Sequence, residues 1–256
     1  MNICRNSISV TPKPYHKMEA YTFQPIGIIH SCFKEKFAIP RQPGLVKEAT
    51  ATLELLAPFN NVETLDGIDD FSHLWISFVF HEAIKNKAET NFKAKVRPPR
   101  LGGNQRVGVF ASRSMFRPNP IGLSVVELCR VDRNAATPTL HLAGVDLLDG
   151  TPVLDIKPYL GYVDAIPDAR SGFAPMAPQK KLDVNWTETA KQACQNLKDI
   201  YPELEQLIIH LIELDPRPAY QNKNTSKTEY GMALYEFNIR WAVDDVRAKV
   251  LSILPG

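Results

Sequence analysis

The chain has 256 residues, 44% of them hydrophobic and 23% charged, with a formal net charge of +2. This is an ordinary globular composition, long enough to bury a core without staples and compatible with one large domain or two modest ones. No apolar run approaches the roughly 18 residues of a membrane span. The first 17 residues lack the apolar centre of a secretory signal. Four scattered cysteines without a CxxC pair suggest neither a zinc site nor a disulfide framework, which fits a reducing cytoplasm.

Residues 1–18 are polar, carry two prolines and are expected to form a poorly ordered tail, with Met18 available as an internal start. From 19 to 165 the chain reads as short strands. The stretch at 21–32 is strand-like with a proline break, and 51–58 alternates. Residues 71–80, FSHLWISFVF, are apolar on both faces, the pattern of a buried strand or a barrel stave, and His73 is expected to be a core histidine. Further strands are predicted over 106–112, 121–131 and 139–148. No amphipathic helix separates them, so βαβ architecture is not expected, and the 20 prolines with Gly/Pro turns favour a small barrel.

After about 165 the pattern changes. Asn185 followed by Glu188 is a capping-box pattern that opens a helix through about Asp199. Pro202 suits a helix N1 position, and Leu204, Leu207, Ile208, Leu211 and Ile212 keep the stripe of a core-facing helix. DPRPAY at 215–220 stops it, and 232–241 and 248–254 alternate around Asp244-Asp245 as a hairpin. The predicted class is mainly β with an α+β tail: a barrel over 19–165, then a smaller α+β domain over 166–256.

Charge is unevenly spread. Between Lys85 and Arg117 stand nine Lys/Arg (Lys85, Lys87, Lys93, Lys95, Arg97, Arg100, Arg106, Arg113, Arg117) against Glu89, so this segment carries +8 and the remainder −6. A basic block in a near-neutral chain points to a polyanion-facing surface, against the plainer alternative of a solvated face.

Four stretches hold residues suited to chemistry, each with a purely structural alternative. In AIPRQPGL (38–45), prolines fix Arg41-Gln42 at low entropic cost, or simply make a good turn. RPPRLGGNQR (97–106) sets three arginines on a stiff frame, and Gly102-Gly103 would let backbone N–H groups approach an anion. It lacks the spacing of a Walker loop or of GxGxxG, so no nucleotide fingerprint is read there. In SRSMFRPNPIG (112–122), Pro118 and Pro120 restrict Arg117 and Asn119. Such an arginine can bind a carboxylate or phosphate, and such an asparagine can accept from an exocyclic amine. GVDLLDGTPVLDIKPYL (144–160) places Asp146, Asp149 and Asp155 within ten residues; the spacing is not that of a calcium loop, and the carboxylates can meet a cationic ligand or cap turns. His81-Glu82 close a strand at a loop, and no nucleophile elbow or triad pattern appears.

Together EKFAIPRQPGLV, FSHLWISFVFH, VRPPRLGG, GVFASRSMFRPNPIGLSVVEL and DLLDGTPVLDIKPYL resemble the TsaA-like family, and among it the TrmO-type tRNA methyltransferases of gammaproteobacterial kind. The likeness runs from about Tyr21 to Asp168 and on through DPRPAY and FNIRW. It implies a non-Rossmann barrel that binds S-adenosylmethionine and N6-methylates threonylcarbamoyladenosine at position 37 of tRNA. It implies cofactor positions at Pro40, Arg41, Gln42, His81, Glu82, Arg113, Leu123 and the turn Asp146, Leu147, Leu148, Asp149. A homodimer acting on the tRNA anticodon arm is expected by the same analogy.

Within that reading Arg117 is expected to take the threonyl carboxylate and Asn119 to hold N6, as the catalytic pair. The basic block would track phosphates, and Arg217, Tyr220 and Arg240-Trp241 would form a second RNA contact. The rival readings are a non-catalytic RNA-binding barrel and a methyltransferase for a small amine, the latter leaving the +8 segment without a purpose.

Overall fold

The structure is a computed structural model that describes residues 20–84, 92–218 and 229–256. The expected tail, Lys85, Lys87 and Glu89 of the basic block, and Tyr220 lie outside the described residues. In chain order the amino-terminal part comprises β1 (Gly27–Ser31), β2 (Thr50–Leu55), β3 (His73–Val79), α1 (His81–Ile84), β4 (Lys95–Val96), β5 (Val107–Gly108), β6 (Ile121–Asp132), β7 (Thr139–Ala143), β8 (Thr151–Pro158) and α2 (Gly161–Asp164). The carboxy-terminal part adds β9 (Asp183–Trp186), α3 (Glu188–Asn196), α4 (Leu204–Glu213), β10 (Glu229–Leu234), β11 (Phe237–Asp244) and β12 (Arg247–Pro255).

Six strands close into a barrel in the order β1-β2-β7-β6-β3-β8, each neighbouring pair antiparallel. Period-two alternation drives the closure. Leu74 and Ile76 of β3, Leu53 of β2, Leu140 and Leu142 of β7, Ile29 of β1 and Val153 of β8 all point inward and are buried. Closure leaves the barrel no free edge to pair with another chain. The predicted class, mainly β with a smaller α+β domain, is the observed one.

Several local expectations need correcting. His73 lies on the outward face of β3, partly exposed, with Nδ1 2.9 Å from Ser72 Oγ and its ring edge toward Tyr159; alternation, not apolar neighbours, sets its side. The strand expected over 106–112 shrinks to two residues, because a 3₁₀ turn takes Val109–Ala111. The strand expected over 139–148 ends at Ala143, where Gly144 turns the chain at φ +68°. The helix predicted from Asn185 is capped instead by Thr187, whose Oγ1 accepts from Ala190 N at 3.2 Å; Asn185 sits in β9, parallel to β12. Pro202 stands outside α4, which starts at Leu204. Residues 232–241 form not one strand but two, parted by a turn at Tyr235-Glu236, while the hairpin between β11 and β12 falls where alternation put it.

In the carboxy-terminal part, β10-β11-β12-β9 form a four-stranded sheet. Leu204, Leu207, Ile208, Leu211 and Ile212 of α4 join Met232, Ile239, Trp241 and Val250 in its core. That core is continuous with the barrel's, through Phe33 and Leu234.

Candidate active site

A cavity of about 490 Å³ opens where β3, β6 and the segments 36–43, 81–83, 112–117 and 146–148 converge. Its size lies within the roughly 300–1,000 Å³ of small-molecule sites. The proline-framed segment Pro40-Arg41-Gln42-Pro43 makes one wall and Ser112, Arg113, Met115 and Arg117 another. Gln42 Oε1 accepts from Arg113 Nη1, and Gln42 Nε2 donates to the carbonyl of Arg41, so the two walls are clasped. The far end of the first wall is anchored where Gly44 N donates to Gly144 O at 2.8 Å. Both glycines have positive φ, and a Cβ on Gly144 would come within 3.3 Å of Gly44, so the approach needs them.

The floor is aromatic. Phe78 packs across Gly122 of β6, whose added Cβ would lie 2.1 Å from the ring, and Phe80 meets Phe78 edge-on at 5.1 Å. Ser124 and Asp146 also line the cavity, and Ser124 Oγ donates to Asp146 Oδ1 at 2.6 Å. Burial pushes the Asp146 carboxyl up to about 6, opposed by the Ser124 hydrogen bond and by the nearby charge of Arg113. At the mouth, His81 Nε2 lies 3.7 Å from Glu82 Oε1, and Glu82 Oε2 lies 3.9 Å from Lys36 Nζ.

Pro40, Arg41, Gln42, His81, Glu82, Arg113, Arg117, Leu123, Asp146, Leu147 and Leu148 thus line one cavity, although they come from five separate stretches of chain. Two expected site residues do not line it. Asp149 turns away: Oδ1 accepts from Ser31 N at 2.9 Å, Oδ2 lies 2.9 Å from Lys34 Nζ, and its own N–H donates to Phe33 O. It caps a turn. Asn119 is exposed between the lining residues Arg117 and Ile121, its carbonyl accepting from Ile121 N at 2.8 Å. Arg117 is partly committed, donating through Nη1 to Ser112 O at 2.7 Å and Val109 O at 3.4 Å.

The outlying expectations fare unevenly. Of the Gly102-Gly103 pair, Gly102 N is already committed, donating to Pro99 O at 3.0 Å to end a 3₁₀ turn. Arg217 is held by Asp215, Nε to Oδ1 at 2.7 Å and Nη2 to Oδ2 at 3.1 Å, and Trp241 is fully buried, so neither offers RNA a surface. Lys93, Lys95, Arg97, Arg100 and Arg106 do stand exposed beside the cavity-lining segment. Reasoning from sequence missed Trp75, Phe78, Gly122, Ser124 and Thr151. The available signal was in β6: Gly122 and Ser124 hold inward positions that elsewhere in the barrel carry branched apolar side chains, and small residues facing inward leave a cavity.

The donor set fits S-adenosylmethionine. The flat Phe78 floor suits an adenine, the enclosed Asp146 carboxylate suits a cation, and Arg41 and Arg113 suit a carboxylate. Among the described residues, no cluster of three or more His, Cys, Asp or Glu could hold a metal ion, and no helix is long and apolar enough to cross a membrane.

Comparison with known proteins gives consistent results. The model of the tRNA-methyltransferase O N-terminal domain matches residues 28–165, and that of the TrmO C-terminal domain matches 179–256. The chain is 46% identical to the tRNA (adenine(37)-N6)-methyltransferase of Escherichia coli K12 over 93% of its own length and 100% of that protein's. It is 48% identical to the putative S-adenosylmethionine-dependent methyltransferase RcsF of Pseudomonas aeruginosa, over 86% of this chain and 92% of that one. A crystal structure of TrmO from P. aeruginosa superposes with a TM-score of 0.75 at 39% identity, covering 94% of this chain and all of that one. The chain therefore belongs to the tRNA-methyltransferase O family.

Proposed function

We propose that this chain is an S-adenosylmethionine-dependent methyltransferase acting on N6 of adenine 37 of tRNA, in the cytoplasm, with the threonylcarbamoylated base as its substrate. The observation that carries the reading is the joining of an aromatic floor, an enclosed carboxylate and clasped arginine-bearing walls in one cavity of a chain homologous to such enzymes over nearly its whole length. Bound S-adenosylmethionine supplies an electrophilic methyl group. The chain's own part is positioning, which can account for several kcal/mol of barrier lowering. Phe78 and Phe80 seat the donor's ring, Asp146 faces its positive charge, and the Arg41–Gln42–Arg113 clasp fixes its carboxylate end. Leu147 is tied to β1 through Ser31 Oγ, which donates to its carbonyl at 2.7 Å, so this wall is rigid.

Arg117 lines the same cavity, and Asn119, two residues along the chain, is exposed. They are proposed to meet the threonyl carboxylate and N6 respectively. The exposed basic residues 93–106 would follow phosphates of the anticodon arm. The division into a barrel over 19–165 and an α+β domain over 166–256 is proposed as the functional one, with the barrel holding the donor.

A homodimer is part of the proposal. Leu123, which lines the cavity, and Phe110, Tyr162 and Ile166, which do not, expose large apolar side chains, Tyr162 at 86%. The short α2 that carries Tyr162 is fixed to the barrel, because Trp75 Nε1 donates to Asp164 Oδ2 at 2.9 Å, and Trp75 also lines the cavity. A second copy would cover this rim.

The test is direct. The purified chain, a dimer by light scattering, should transfer one methyl group from S-adenosylmethionine to N6 of adenine 37, seen by nucleoside mass spectrometry. Threonylcarbamoylated tRNA should react and unmodified tRNA should not. Methylation of neither, or of a free small amine in preference, would overturn the assignment. Arg117→Ala is expected to lower kcat/KM on modified tRNA by about 100-fold, the upper range for losing a charge-assisted contact, with donor affinity by calorimetry nearly unchanged. An equal loss of donor affinity would move Arg117 into the donor site.

A further inference from the structure

The basic segment is interleaved with aromatic rings. From Phe92 to Val126 the chain holds seven Lys/Arg and no acid, with Phe92, Phe110 and Phe116 spaced among them. Of these rings Phe110 is the most exposed, at 76%. A lone exposed ring is ordinary on a protein surface. This one is stiffly mounted, flanked by cations and joined to the cavity.

Phe110 is the middle residue of the 3₁₀ turn Val109–Ala111, which is bonded at both ends. Val109 N donates to Ala94 O at 3.0 Å, and Val109 O accepts from Ser112 N at 3.1 Å and from Ser112 Oγ at 2.8 Å. The strip 93–96 beside it is bonded on two sides. Lys93 N donates to Phe116 O at 3.2 Å, and Lys95 pairs with Gly108, two residues before Phe110. Lys93 and Lys95 are exposed, and Lys93 Nζ lies 4.2 Å from the centre of the Phe116 ring. The link to the cavity is Arg117, which lines it and whose guanidinium carbon lies 5.8 Å from the Phe110 centroid.

We propose that Phe110 is a stacking platform for an unpaired RNA base, that of a nucleotide flanking the one that enters the cavity. Every nucleobase presents a π-face, so an exposed ring beside a cationic strip holds single-stranded RNA whatever its sequence. Arg117 against the same ring adds cation–π attraction. Proteins read single-stranded loops by splaying bases onto such rings. The separation of 5.8 Å from ring to guanidinium is one that a single nucleotide spans. A second copy of the chain would bring the same positive charges to this turn, so Phe110 suits a polyanion better than a partner subunit.

The inference rests on tRNA being the substrate, and the experiment tells the two failures apart. Kd and KM for tRNA are measured on the full chain at several salt concentrations, beside donor Kd by calorimetry and mass by light scattering. Phe110→Leu keeps an apolar side chain but loses the ring. It is expected to raise tRNA Kd and KM about tenfold, within the range for losing one stacked base, with donor Kd within about twofold of wild type. Phe110→Trp should bind tRNA at least as tightly as wild type. Stacking carries no charge, so the slope of log Kd against log salt should be the same in Phe110→Leu as in wild type. Anticodon arms with an abasic site on one or the other side of position 37 locate the contact. At one of the two sites, base removal should weaken wild type about tenfold and Phe110→Leu hardly at all, the non-additivity of a direct contact. An unchanged tRNA Kd in Phe110→Leu, a changed salt slope, or abasic losses that are equal in both proteins would overturn the inference. A fall of Phe110→Leu to monomer mass would place the ring under a second copy and overturn it likewise. Wild-type chain that binds no tRNA would overturn the substrate reading as well.

Discussion

Gly122→Ala is expected to remove donor binding while leaving the chain folded. The added Cβ would lie 2.1 to 2.6 Å from three atoms of the Phe78 ring, far inside contact distance. Backbone relief is closed off, because Gly122 is locked in the ladder between β3 and β6, opposite Phe78 itself. The ring must therefore swing, and the open direction is the cavity it floors. Overpacking of this kind costs about 1–3 kcal/mol. For a chain of this size that is a fall in Tm of roughly 2–10 °C. The functional loss should be far larger, since a displaced floor misplaces the bound group, and a shift of about 1 Å can cost about 100-fold in rate. Calorimetry with S-adenosylmethionine, beside a thermal melt, reads both. Pairing Gly122→Ala with Phe78→Leu should return part of the binding, because the smaller side chain can share the space. A Gly122→Ala chain that binds donor normally would show that the Phe78 floor is not the adenine seat.

The contrast between what alternation revealed and what it hid has a physical basis. Inward Leu74 and Ile76 declare β3 through a period-two pattern that closure requires, so the barrel was legible from local sequence. The same logic misplaced His73 only because apolar residues flank it on both faces. Turn chemistry was legible too: Pro40, Pro43, Pro118 and Pro120 marked the segments that become cavity walls. What sequence did not show is which of several equivalent groups face inward. Asp146 and Asp149 sit three residues apart on one loop, yet Asp146 meets Ser124 in the cavity while Asp149 caps the backbone of Ser31. That choice is made by partners on other strands. Arg217 likewise read as a free basic residue until Asp215, itself turned by a left-handed backbone, was seen to hold it.

Asp146 carries the second large effect, and its sign can be worked out. Burial raises its pKa from an ordinary value of about 3.9 to about 6. The folded chain thus retains a proton there that the unfolded chain has already lost, so this group favours folding below the ordinary value and loses that contribution as pH rises through about 6. A cation seated beside the carboxylate reverses the preference, because it favours the ionised form. Donor binding should therefore tighten with pH, by up to about tenfold per unit below pH 6, and level off above it. Asp146→Asn keeps the shape and can still accept from Ser124 Oγ, but cannot ionise. It should weaken S-adenosylmethionine binding at pH 7.5 by roughly 10- to 100-fold, the range for a contact to a charged group, and flatten the pH dependence. S-adenosylhomocysteine, which lacks the sulfonium charge, separates the two cations of the donor. If Asp146 faces the sulfonium, the homocysteine form should show little of the pH slope and little response to the substitution. If it faces the amine, both ligands should respond alike. A pH-independent affinity in the wild-type chain would mean that Asp146 meets no cation in the bound state.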